Sequence, residues 1–157
     1  MNRFRIDDKR FRTFLRILLA VTVIGSWILR LTGFGWFLVV YGCLMLIVTA
    51  LHVGIQVYTI RKASIGVITW VLIISNLLFF LSLNLQFDTL DYSAGIPLFG
   101  IEGAYYSYTY FYSGYLNPLA QWVKDNNSMV VGSMYGLLVF TWIILLFYQN
   151  RETSKML

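Results

Sequence analysis

The chain has 157 residues, of which 59% are hydrophobic and only 12% charged, with a net charge of +5. A soluble domain carries roughly a quarter of its residues as charges, about twice this share, so the composition excludes an ordinary soluble enzyme or nucleic-acid-binding domain. It points to one integral membrane domain over residues 1–157, with a mean hydropathy of +0.70.

Met1 to Arg16 is a basic, aromatic-laced arm, NRFRIDDKRFR at its heart. Beside a membrane span, such an arm sets topology and attracts anionic lipid more simply than it binds nucleic acid. The first span is predicted at about 13–32. Only thirteen residues separate Arg16 from Arg30, about 20 Å of helix, so both arginines are expected to snorkel toward the headgroups and lengthen it. No small-residue cleavage site follows the apolar stretch, which argues against a signal peptide. Thr32-Gly33-Phe34-Gly35 supplies a break.

Charges are absent from Leu31 to Ile60, from Ala63 to Phe87 and from Asn126 to Asn150. A helix needs roughly 20 apolar residues to cross the hydrocarbon core, so these runs hold further spans at about 36–60, 64–87 and 128–150. The fold class is all-α: a polytopic, multi-pass cell-membrane protein with four transmembrane helices. With both termini cytoplasmic, ten of the twelve basic residues lie inside, leaving Arg30 and Lys124 outside, as the positive-inside rule requires. Three spans would move Arg61, Lys62, Arg151 and Lys155 outside.

Thr49, His52, Gln56 and Thr59 in the second span share one helical face. The third span carries Thr69 and Asn76 on one stripe, Ser75, Ser82 and Gln86 on a neighbouring one, and Asn84 near its outer end. This intramembrane polar stripe admits two readings: a proton or ligand path centred on His52, or hydrogen bonding between helices by a neutral histidine. Relays usually pair histidine with a carboxylate, and the spans contain none, which favours the second.

Ser128, Gly132 and Gly136 in the fourth span, and Ala50 and Gly54 in the second, place small residues four apart. Such stripes let helix backbones approach closely, within one bundle or against a partner. Met45, Met129 and Met134 read as gap fillers.

Residues 88–127 form a structured outer loop with four of the seven acidic residues. Six of its tyrosines, Tyr105, Tyr106, Tyr108, Tyr110, Tyr112 and Tyr115, fall within GAYYSYTYFYSGY. Alternation of four of them suits a strand, while Tyr105, Tyr108, Tyr112 and Tyr115 also suit a helix. An aromatic belt needs one or two rings per helix end; this density favours a recognition surface. Asn117 before Pro118 is a helix start, and Leu119, Trp122 and Val123 share one face after it.

No catalytic constellation is expected. The single His52 and single Cys43 lie nine residues apart on one helix, about half a turn out of phase. HExxH, GxSxG, CxxC, P-loop and GxGxxG motifs are absent. The reading is no enzyme, no catalytic residue, no cofactor and no metal.

The whole plan, from MNRFRIDDKRFRTF through YYSYTYFY to FYQNRETSKML, resembles the SaeQ-like four-span membrane proteins encoded beside a bacterial sensor kinase and its response regulator. The resemblance rests on chain length and layout and carries no site residue. It implies an accessory, regulatory protein that works with a lipoprotein partner on a sensor histidine kinase and promotes its phosphatase activity. Besides the lipid bilayer, the expected partners are therefore membrane proteins, with a homo-oligomer as a further state and no nucleic acid. The reading of a different class is a small oligomeric channel, holin-like or transport protein using the polar stripe.

Overall fold

The computed structural model describes residues 8–32, 36–62, 66–90, 93–98, 100–103, 107–108 and 118–154. Helix α1 spans Asp8–Thr32, α2 Trp36–Lys62, α3 Val67–Asn84, α4 Pro118–Asp125 and α5 Asn127–Ser154. Four of them, α1, α2, α3 and α5, are long and apolar enough to cross a membrane. The four-span helical architecture expected from the charge-free runs is the one observed, and the chain is a multi-pass membrane protein. The Thr32–Gly35 break is only in part described, since residues 33–35 lie outside the described ones.

Three of the spans are longer than the apolar runs alone suggest, because α1 begins within the basic arm and α2 and α5 run on through Lys62 and Ser154. The third is shorter. It starts at Val67, where Gly66 takes an extended backbone and the Thr69 hydroxyl accepts the Gly66 N–H at 3.4 Å. It ends at Asn84, with Leu85 closing the last turn through its N–H to the Leu81 carbonyl. Polar neighbours take over the backbone groups beyond. Leu98 N–H donates to the Asn84 carbonyl at 3.0 Å. The Asn127 side chain donates to the Leu85 carbonyl at 2.8 Å and accepts the Phe87 N–H at 3.1 Å. The first residue of α5 thereby caps the end of α3, satisfying groups that lipid cannot.

Packing places α1 beside α2 and α3, and α5 beside α2 and α3, so the helices form a ring in the order α1–α2–α5–α3. Side-chain bonds join α2 and α3 across its middle. Apolar side chains fill the rest in three clusters. Leu15, Leu19, Ile60, Ile68, Leu72 and Leu145 pack at the basic end. Phe79, Leu83, Leu138 and Trp142 pack further along. Leu85, Ile96 and Val123 pack together at the other end, the last two contributed by the outer loop. Met45 is buried and Met134 packs between two clusters, as gap fillers do, whereas Met129 is exposed.

The outer loop adds a small antiparallel meander to the helical frame. Strands β1 (Asp88–Leu90), β2 (Ser93–Ile96), β3 (Gly100–Gly103) and β4 (Ser107–Tyr108) pair in sequence order. Ile101 pairs with Tyr108, so the tyrosine stretch enters as a strand at that point. Tyr105, Tyr106, Tyr110, Tyr112 and Tyr115 lie outside the described residues. Helix α4 begins at the predicted proline. Of its expected apolar face only Val123 is buried; Leu119 and Trp122 are exposed.

Candidate functional site

The polar side chains of α2 hydrogen-bond to all three other spans. Thr49 accepts the indole N–H of Trp27 from α1 at 3.1 Å. His52 and Gln56 turn toward α3, and Thr59 accepts from the Gln149 amide of α5. The four-residue stripe read from the sequence is therefore one seam with three addresses. His52 and Gln56 meet Asn76 of α3 at the centre, while Thr49 is turned aside to Trp27.

His52 is fully buried. Its Nδ1 lies 3.1 Å from Trp142 Nε1 and its Nε2 lies 3.3 Å from Asn76 Oδ1. Indole nitrogen is a donor only, so Nδ1 accepts and the ring proton sits on Nε2, donating to Asn76. Asn76 in turn donates to Gln56 Oε1 at 3.4 Å and to the Leu72 carbonyl at 2.9 Å. Gln56 donates to the same carbonyl at 3.3 Å. The result is a directed chain, Trp142 to His52 to Asn76 to Gln56, ending on a backbone oxygen of α3. The imidazole also stacks on Phe79 with centroids 4.4 Å apart and planes 6° from parallel. Both ring nitrogens are occupied, and the ring is stacked on Phe79. Such an arrangement fixes one tautomer and one rotamer and joins three helices.

A second polar cluster lies at the outer end. Arg30 was expected to snorkel outward; instead it is fully buried. Its guanidinium donates to the Gln86 carbonyl at 3.2 Å, two residues past the end of α3. A cation is stabilised there by the negative end of the helix dipole, and the guanidinium has five donors to distribute. Gln86 donates to the Tyr135 hydroxyl at 2.8 Å, so α1, α3 and α5 are tied at this end as well.

Sequence reasoning missed the α5 contributions. Tyr135, Trp142 and Gln149 recur every seven residues, with buried Leu138 and Leu145 between them. That heptad spacing was the available signal for an inward face.

The small residues lie elsewhere. Ser128, Gly132 and Gly136 are exposed, as are Ala50 and Gly54. A Cβ at Gly54, Gly132 or Gly136 would meet nothing within 4 Å. Among the described residues, these stripes do not serve packing within the bundle. Cys43 is also exposed, on a different face of α2 from buried His52. Among the described residues, no three His, Cys, Asp or Glu side chains come together as a metal site would need.

Comparison with protein-family models, with curated proteins and with solved structures returns no match.

Proposed function

We propose that the protein is an accessory membrane protein that docks other membrane proteins laterally, with α5 as its docking helix. The observation that carries this reading is the open small-residue stripe of Ser128, Gly132 and Gly136. Among the described residues nothing of its own bundle covers that stripe, and close backbone approach by a second helix is what such stripes accommodate. The partner class that the SaeQ-like resemblance suggests is a sensor histidine kinase, acting with a lipoprotein. Docking would bias the kinase toward its phosphatase state by binding that state more tightly. The tyrosine-rich loop would add contact outside the membrane.

The channel reading has weaker support. It relies on the polar seam, and the side chains of that seam are spent on one another and on backbone carbonyls. The reading that the protein is not an enzyme rests on the missing motifs.

The test is tagged purification from native membranes after mild crosslinking, comparing the natural chain with Gly132→Ile/Gly136→Ile. The expected result is a stoichiometric membrane-protein partner that the double variant loses while its insertion is unchanged. Recovery of self-oligomers alone, with ion flux in liposomes, would replace this reading with the channel.

A further inference from the structure

Helix α4 joins α5 through one residue, Asn126. Asn126 keeps a helical bond on each side. Its N–H donates to the Trp122 carbonyl at 3.0 Å, and its carbonyl accepts the Val130 N–H at 3.0 Å. Its side chain donates to the same Trp122 carbonyl at 2.9 Å. The helical phase of α5 therefore carries on into α4, at about 100° per residue. On that phase Trp122, Met129, Phe140 and Phe147 fall within about 20° of one line along the helix, and all four are exposed. Leu119, one turn before Trp122 and about 60° to the side, is exposed as well. Val123 lies on the other side with Val130 and Met134, and these three pack with Leu85 and Ile96.

The side chains of α4 are thus sorted further than packing on the bundle requires. Among those described only Val123 is buried, yet Leu119 and Trp122 stand together. Gln121 and Asp125 stand on a neighbouring face and hydrogen-bond to each other at 2.8 Å. Height decides what the apolar pair meets. Asn127 lies level with the end of α3, where it bonds to Leu85 and Phe87. Trp122 is five residues further out, about 7–8 Å along the axis, and the headgroup layer of one leaflet is about 5–8 Å deep. In a multi-pass membrane protein Phe140 and Phe147 face acyl chains, so the line that they belong to reaches the headgroups at Trp122. An indole is favoured at that level, because its ring is apolar and its N–H is polar.

We infer that α4 is an interfacial anchor: Leu119 and Trp122 insert at the headgroup–acyl boundary of the outer leaflet and hold the end of the 88–127 loop against the bilayer. The occupant of this face is lipid, because the face continues the lipid-facing line of the span it is joined to. The inference goes beyond the docking reading and does not depend on it. A partner helix seated at Gly132 and Gly136 lies ten residues or more from Trp122, about 15 Å along the helix.

The experiment uses the full chain with Cys43→Ser, reconstituted by itself in phosphatidylcholine vesicles. A nitroxide is attached after Leu119→Cys, after Trp122→Cys or, as the water-facing control, after Gln121→Cys. Its collisions with oxygen, which concentrates among acyl chains, are compared with those of a water-soluble nickel chelate. The oxygen-to-nickel ratio at 119 and 122 is expected to exceed that at 121 by about threefold or more, as for side chains in the headgroup layer. With the label at 119, Trp122→Ser should bring the ratio down to the value at 121, and Trp122→Tyr should hold it. Both variants should keep the unfolding midpoint of the unsubstituted chain, because Trp122 is exposed. Equal ratios at 119, 121 and 122 would put α4 in water. Few collisions with either reagent at 119 and 122 would mean that a protein segment covers them. A ratio at 119 that Trp122→Ser leaves unchanged would remove the indole as the anchor. Each of these three results overturns the proposal.

Discussion

Helix α5 has two long faces made from different chemistry. The inward face carries Tyr135, Leu138, Trp142, Leu145 and Gln149, all large, with the polar ones hydrogen-bonded to α2 or to Gln86 at the end of α3. The outward face carries Ser128, Gly132 and Gly136, small and with nothing against the two glycines. In lipid, apolar side chains gain little from leaving one apolar surroundings for another, so helices associate by tight packing and by polar groups that find partners. The inward face uses the second means and is complete within the chain. The outward face has the shape for the first, and among the described residues a Cβ at either glycine would meet open space. One helix thus carries a face that holds the bundle together and, on the docking reading, a face for another molecule.

That contrast is breakable from either side. On partner recovery the largest effect is expected from the outward face. Gly132→Ile/Gly136→Ile should reduce partner recovery by about tenfold or more, the loss of 1.4 kcal/mol or more of docking energy, while thermal stability in detergent stays within about 0.5 kcal/mol. A matching fall in both would place the stripe inside the bundle instead. On stability the largest effect is expected from Asn76→Leu, which strips the acceptor from His52 and the donor from Gln56. Leaving two buried polar groups unmade should cost about 2–4 kcal/mol, read as a lower unfolding midpoint with partner recovery retained in the folded fraction. Arg30→Met should lower stability by about 1–2 kcal/mol through loss of the charge at the end of α3. The smallest effect is Trp142→Phe, which removes one donor to His52 Nδ1 while keeping an aromatic ring. A loss of about 0.6–1.5 kcal/mol is expected. A Trp142→Phe variant less stable than Asn76→Leu would mean that packing of the indole, and not the directed chain through Asn76, holds the seam.

The helical frame was legible because charge is so scarce: each uncharged run is a span, and the basic residues orient the set. The exact extents were not, since nothing in Leu85-Gln86-Phe87 marks a stop. The stop comes from Asn127, forty residues on, which takes the backbone groups of that stretch. The polar stripe of α2 was legible from its helical spacing, but its division among three neighbours depends on how the helices are ringed. Arg30 shows the same limit. Its place near a span end suggested snorkelling, and only the position of the α3 terminus explains why it turns inward. The small-residue motif was visible as a motif; which way it faces is a property of the fold. The tyrosines gave two periodicities at once, and Tyr108 follows the extended one because β3 is there to pair with it.

The most direct measurement of the central claim is photo-crosslinking in native membranes from the two edges of the outward stripe. A photoreactive residue would replace Ser133 or Leu137, both exposed, with Phe147 as a lipid-facing control on the same helix. The account predicts a discrete membrane-protein adduct from positions 133 and 137 and none from 147. No protein adduct from either edge, or the same adducts from all three positions, would contradict it.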